Sequence, residues 1–352
     1  MDYDTVENVR LSGDGASVVI LDQTLLPNET KFLELKNGRD LADAIATLKV
    51  RGAPAIGIFA AYALYILAGQ STSRDHKGFL ADVRRHSASL NSVRPTAVNL
   101  SKQLRRMEKL VAGMEGAPVP RILAAMRDEA QAIQREDVDM CRAISEHGLS
   151  LVSGGGGVLT QCNAGPLATS LYGTALGPIL LARERGIDLN VYCCETRPLL
   201  QGARLTAFEL NKAGVDCTLI CDNMASIVMA EGKIDAVFAG CDRLARNGDA
   251  ANKIGTSGLA ILANHYGVGF YIFCPSSTID PECMTGADIV IEQRPPGEIK
   301  EMFFKKPVAP AGVKCYNPAF DVTDNGLITA IVTEKGICRP PYKQSLAQFV
   351  NP

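Results

Sequence analysis

Hydrophobic positions change period part-way along the chain. Asp40 to Val50 sets Leu41, Ile45 and Leu48 at helical spacing, and from Leu104 to about Ser145 the segments LRRMEKLVAGM and ILAAMRDEAQAIQREDVDMCRAI keep that period. Between them GAPVPR carries Pro118 and Pro120, which end one helix and begin the next. Earlier, SVVIL at 17–21 reads as a short strand. The longest apolar run, Ala53 to Leu67, contains Gly57 and two tyrosines and includes Pro54 near its start. It falls short of the ~20 residues that cross a bilayer and predicts a core helix, with no membrane association.

From Gly157 the pattern becomes short apolar runs, VLTQC, LNVYCC, CTLIC, AVFAGC and FYIFC, alternating with helical stretches. That is the signature of a parallel sheet covered by helices on both faces. The predicted class is α/β, with a small, mainly helical N-terminal domain at 1–120 and a Rossmann-like domain with a parallel sheet at 121–352. Ligands in such sheets lie outside the carboxyl ends of the strands, so CNAG, ETRP, GCDR and CPSSTID should share one edge. The run Gly154 to Gly157 does not match GxGxxG and has no helix directly after it. It reads as a flexible lead into the strand, not as a dinucleotide site.

Composition narrows the function. Apolar residues make up 47% of 352, and 36 Lys and Arg nearly balance 38 Asp and Glu. That argues against disorder and against a nucleic-acid partner, which calls for a basic face. The segment MDYDTVENVRL has neither basic nor apolar leader character, so the eleven cysteines are expected reduced, in a cytoplasmic protein. No CxxC, HxH or HxxxH spacing occurs among those cysteines and the four histidines, so no metal and no cofactor is expected.

Cys162 ends an apolar strand and precedes Asn163-Ala164-Gly165, where the amides of a following turn and helix would lower a thiol pKa. A free cysteine also serves as a small buried hydrophobe, and that alternative stays open. Asp242 similarly ends AVFAGC; partial desolvation there would raise its pKa and suit it to carry a proton, although a helix cap or a partner for Arg243 reads equally well. Asn252, Lys253 and Thr256 surround Gly255 and make a plausible phosphate grip. Arg51, with the backbone N–H groups of Gly52 and Ala53 at a helix start, and Arg94 beside Pro95 look like anion clamps. In ETRPLLQGARL a Glu195–Arg197 brace is the plain reading, while Gln201 offers a neutral amide suited to a sugar hydroxyl.

Taken in order, RGAPAIG, RPTAVNL, LTQCNAGPLAT, YGTALG, ETRPLLQGARLTAFEL, GCDRLARNGDAANKIGT, PSSTID, IEQR and YNPAFDVT resemble the methylthioribose-1-phosphate isomerase family from about Leu21 to Gly336. The resemblance implies an aldose–ketose isomerase of methionine salvage: a cytoplasmic homodimer using neither metal nor nucleotide, with its small-molecule sugar phosphate in the cleft between two domains. It places the catalytic pair on Cys162 and Asp242 and the ligand contacts on Arg51, Gly52, Ala53, Arg94, Gln201, Asn252 and Lys253. The wider superfamily includes regulatory subunits of initiation factor 2B and ribose-1,5-bisphosphate isomerase, and keeping the whole acid, thiol and phosphate set favours an enzyme over a regulatory subunit.

The chain also departs from the family's pattern. Gln161 stands where the family usually has His, Cys241 where it has Ala, Ser101-Lys102-Gln103 where it has apolar and aromatic residues, and Phe208 where it has Trp. Loss of apolar bulk makes 5-deoxyribose 1-phosphate the rival substrate within the enzyme class.

Overall fold

The structure, a computed structural model, describes residues 7–94 and 97–350. By internal contacts the described residues form two compact units, one made of the chain from residue 7 to Asp139 together with Pro166–Leu171, the other of Met140–Gly165 and the chain from Tyr172 to residue 350.

The first unit opens with an antiparallel sheet of β1 (Val9–Leu11), β2 (Val18–Leu21) and β3 (Phe32–Leu35), with β2 in the middle. All four residues of β2 are buried, so both its faces are covered and SVVIL needs no polar position. Helices α1 (Gly38–Ala46), α2 (Ala53–Ala68), α3 (His76–Val93), α4 (Val98–Ala112) and α5 (Val119–Leu149) follow. Helix α1 stops short of the expected Val50 because Thr47 caps it and Leu48 turns to φ +62°, which no right-handed helix accommodates. Helix α2 is buried on almost every face and forms the centre of the core, whereas α4 turns only Leu100, Leu104, Met107 and Val111 inward. The break at Pro118 and Pro120 separates α4 from α5, while the division into compact units falls within α5.

The second unit is built on seven strands: β4 (Gly157–Thr160), β5 (Asn190–Cys194), β6 (Cys217–Ile220), β7 (Ala236–Ala239), β10 (Gly269–Phe273), β12 (Ala330–Thr333) and β13 (Gly336–Cys338). Their order is β13-β12-β10-β7-β4-β5-β6, all parallel except β13. Each strand's pleat sends alternate side chains to opposite faces. Val158, Phe238 and Phe273 pack with α6 (Gly177–Glu184), α7 (Ala207–Lys212) and the end of α5, while Leu159, Val237 and Ile272 pack with α8 (Ala225–Ala230) and α9 (Thr256–Tyr266). This is the doubly wound α/β arrangement the sequence predicts. A small antiparallel sheet, β8 (Arg243–Leu244), β9 (Ala250–Lys253) and β11 (Phe320–Thr323), is inserted after β7. The glycine run is not a loose lead-in: Gly155 donates its N–H to the Asp188 carbonyl at 2.8 Å, and Gly157 is already the first, buried residue of β4. Among the described residues no helix is long and apolar enough to cross a membrane.

The ring of Phe238 lies 4.6 Å from that of Phe273 and 5.9 Å from that of Tyr271, centroid to centroid, at zero exposure. Phe238→Ala should lower stability by about 3–5 kcal/mol in urea unfolding. A loss under about 1 kcal/mol would mean that the sheet face is not packed as described.

Candidate functional site

Strands β4 and β7 are hydrogen-bonded neighbours, with Thr160 opposite Phe238, yet the chain leaves β4 for β5 and β6 on one side before returning to β7 on the other. The helical connections therefore diverge at their carboxyl ends, the switch point at which doubly wound folds bind ligands. Cys162 lies two residues beyond β4 and Asp242 three beyond β7. The two turns touch: a Cβ on Gly240 would come 3.1 Å from the Cβ of Ala164.

The turn carrying Cys162 is held by side chains. Cys162 is half-buried and adopts φ +59°, a conformation that a non-glycine residue keeps only when its surroundings impose it. Its N–H donates to Thr196 Oγ1 at 2.8 Å, and the hydroxyl of Thr206 donates to its carbonyl. The next residue, Asn163, donates from Nδ2 to Thr206 Oγ1 at 3.2 Å and to the buried carboxylate of Glu209. The helix expected after CNAG is absent; Pro166–Ala168 makes a single 3-10 turn and α6 begins only at Gly177, so a helix dipole does not act on the thiol as anticipated. Two thiols elsewhere in the unit are held protonated, since burial pushes Cys194 up to about 12 and Cys338 up to about 11.

The segment after β5 supplies both threonines and Gln201. Thr196 (φ +64°) and Leu200 (φ +56°) are wound tightly, and Gly202 lies so close to β5 that a Cβ there would come 1.7 Å from the Cys194 carbonyl. Asp222 fixes the turn by accepting the N–H groups of Thr196 at 2.8 Å and Arg197 at 2.7 Å. The Arg197 guanidinium reaches the carbonyls of Pro198 and Ile299 and stacks on Phe304 in place of the expected brace with Glu195. Gln201 is only 6% exposed, and its Oε1 has no hydrogen-bond partner among the described residues.

Asp242 corrects an expectation. It is exposed, so the end of β7 does not desolvate it; β7 is buried but its chain has already turned outward, with the Asp242 N–H donating to the Ala251 carbonyl at 2.9 Å to open the β8–β9 hairpin. Arg243 pairs with Asp280 at 3.6 Å. The returning strand β9 carries Asn252 and Lys253. Asn252 is buried and donates to Thr256 Oγ1 at 3.0 Å; Lys253 donates to the Ala319 carbonyl at 2.8 Å with its ammonium 4.5 Å from the Phe320 ring centre. Cys162, Gln201, Asp242, Asn252 and Lys253 thus all belong to the second unit, the first three beyond the ends of β4, β5 and β7 and the last two on β9. Arg51, Gly52, Ala53 and Arg94 belong to the first: Gly52 (φ +92°) is the N-cap of α2, Ala53 its first residue, and half-buried Arg94 ends α3. Pro95, the residue expected to stiffen that loop, lies outside the described residues. Sequence reasoning missed Thr196, Thr206 and Glu209, although all three lie within the motif ETRPLLQGARLTAFEL that it singled out.

The Initiation factor 2 subunit family profile matches residues 49–340. A methylthioribose-1-phosphate isomerase of Symbiobacterium thermophilum is 58% identical over 98% of this chain and 96% of its own. A 5-deoxyribose 1-phosphate isomerase of Petrotoga mobilis is 55% identical over 98% and 99%. Among solved structures, the 5-methylthioribose 1-phosphate isomerase of Pyrococcus horikoshii OT3 superposes with a TM-score of 0.92 at 39% identity, covering 97% of this chain and 95% of that one. The translation initiation factor eIF-2B, subunit delta, of A. fulgidus does so with 0.90 at 39%, covering 98% and 99%.

Asp321, opposite Asn252 on β11, accepts the N–H groups of Gly255 at 2.8 Å and Ser257 at 3.1 Å at the start of α9. Burial outweighs those bonds and raises its carboxyl above the ordinary aspartate value. A raised acid favours the folded state while protonated, so its contribution is complete below about pH 4 and is lost as pH rises through the folded value. The melting-temperature advantage of the protein over Asp321→Asn should therefore shrink as pH rises from about 4; an advantage that grows would contradict the assignment.

Proposed function

The chain belongs to the initiation factor 2 subunit family, and we propose that within it the protein is an aldose–ketose isomerase converting 5-methylthioribose 1-phosphate into 5-methylthioribulose 1-phosphate. The observation that carries this reading is the placement of a thiol and a carboxylate on touching turns at the switch point, next to Asn252 and Lys253. A regulatory subunit has no use for a proton-shuttling pair. The relatives named above support the reading further.

Phosphate on the anomeric carbon locks the furanose, so the ring must open as hydrogen moves from carbon 2 to carbon 1. In this reading Asp242 protonates the ring oxygen as its bond to carbon 1 breaks, Cys162, as thiolate, takes the carbon-2 proton and returns it at carbon 1, and the carbon-2 hydroxyl, becoming the ketone, gives its proton back to Asp242. Asp242 is exposed, and in this reading the bound substrate covers it and excludes water from it. Arg51, the N–H groups of Gly52 and Ala53, Arg94, Asn252 and Lys253 hold phosphate and sugar, and the open acceptor of Gln201 takes a hydroxyl. The reading includes a cytoplasmic homodimer, as the family resemblance implies.

A second reading, 5-deoxyribose 1-phosphate as substrate, is favoured by the Petrotoga relative and by the polar Ser101-Lys102-Gln103 on α4. Incubation of the 1-phosphates of 5-methylthioribose, 5-deoxyribose and ribose 5-phosphate in deuterated water, followed by NMR, decides between them. Ketose from none of the three would overturn the isomerase reading. Cys162→Ser and Asp242→Asn should collapse kcat with little change in affinity, whereas Arg94→Ala and Lys253→Ala should weaken binding by roughly 2–5 kcal/mol. A Cys162→Ser protein that melts early yet turns over normally would make the thiol core packing.

A further inference from the structure

Gln161 precedes Cys162 in the chain, but its side chain belongs to a different turn. It is 3% exposed, and both ends of its amide are engaged: Nε2 donates to the Ile254 carbonyl at 2.8 Å, and Oε1 lies 3.0 Å from the hydroxyl of Thr256. The Ile254 carbonyl can only accept, which fixes the nitrogen on that side. Gly255 lies directly beneath: at φ +102° it leaves room for the amide, and a Cβ there would come 2.7 Å from Nε2. Thr256 Oγ1 is also 2.6 Å from the Lys253 carbonyl and receives the Asn252 amide at 3.0 Å. One side chain therefore joins the end of β4 to the turn that directly follows Asn252 and Lys253, the last two residues of β9.

We propose that Gln161 is a positioning residue that fixes Asn252 and Lys253 for phosphate binding relative to the Cys162 turn. The proposal rests on the isomerase reading for the identity of the phosphate ester, although the clamp itself would serve any phosphate ligand. Its chemistry is specific: the site needs a donor towards Ile254 and, towards Thr256, an acceptor that shares the single hydroxyl proton with the Lys253 carbonyl, and a primary amide offers both on one planar group at any pH. A histidine in this place would offer the same pair only while neutral, because the imidazolium has no acceptor. The titratable groups on the surrounding elements are Lys253 on β9, Asp321 on β11 and Cys162 on its own turn.

Gln161→Glu tests this. A protonated carboxyl keeps one donor and one acceptor, whereas a carboxylate loses the donor and points negative charge at the Ile254 carbonyl. Calorimetric binding of inorganic phosphate and the KM for the sugar phosphate are measured on both proteins from pH 5.5 to 8, and each variant value is divided by the wild-type value at the same pH. The expected ratio is near one at the acid end and climbs by up to about tenfold per pH unit once the new carboxyl ionises, with kcat little changed. Gln161→His should bind like wild type at pH 8 and worse near pH 5.5. A ratio flat with pH for both variants, or a fall in kcat at constant KM, would overturn the proposal. If Gln161→Glu does not fold, the histidine variant carries the comparison alone. Phosphate binding that responds as expected in a protein without isomerase activity would retain the clamp and remove the isomerase reading; turnover with an unresponsive clamp would do the reverse.

Discussion

The hydrogen-bonded pairing of β4 with β7 is the constraint on which the rest depends. Two strands and their helices intervene in sequence between them, so placing the two side by side forces the crossover connections to diverge. The opening at their carboxyl ends follows from topology and needs no special residues. What the sequence adds is chemistry on the two turns that flank the opening: Cys162 beyond β4, and Asp242 with its hairpin beyond β7. The neighbouring strand β5 contributes a third turn, whose threonines hold the first.

Those turns are fixed by polar side chains inside an apolar shell. Thr196, Thr206 and Thr256 have no exposed surface, and each bonds a backbone or side-chain group of another turn. Buried polar groups must be paired, and satisfying several at once leaves few alternative arrangements. The left-handed backbone of Cys162, Thr196 and Leu200 costs free energy that this network offsets. Three of the six positive-φ non-glycine residues described thus fall in two adjoining turns, which is where a reactive group would be held in a chosen direction.

Much of this was legible in the sequence because it rests on period and punctuation. Buried parallel strands read as short apolar runs, so β4, β5, β7 and β10 were visible, and with them the edge on which CNAG, ETRP and GCDR fall. Three features were not. Strands β1 and β3 are short and carry charged residues, and the inner face of α3 is sparse, with Ser87 interrupting Phe79, Val83 and Leu90, so none of the three gives a clear period. The end of α1 depends on Leu48 adopting a left-handed conformation that its residue type does not announce. The exposure of Asp242 depends on the chain turning outward after β7, which an apolar strand followed by an acid does not reveal. Candidate site residues could be named from motifs; the threonines and Glu209 that hold them could not, because their partners lie tens of residues away.

The central claim is that the turns beyond β4 and β7 act on one reacting molecule. A double-mutant cycle on Cys162→Ser and Asp242→Asn, read as kcat/KM for 5-methylthioribose 1-phosphate, tests it most directly. Residues that serve the same transition state are strongly non-additive, so the double variant should be scarcely slower than the slower single one. Losses that multiply would show that the thiol and the carboxylate act independently, and would contradict the account.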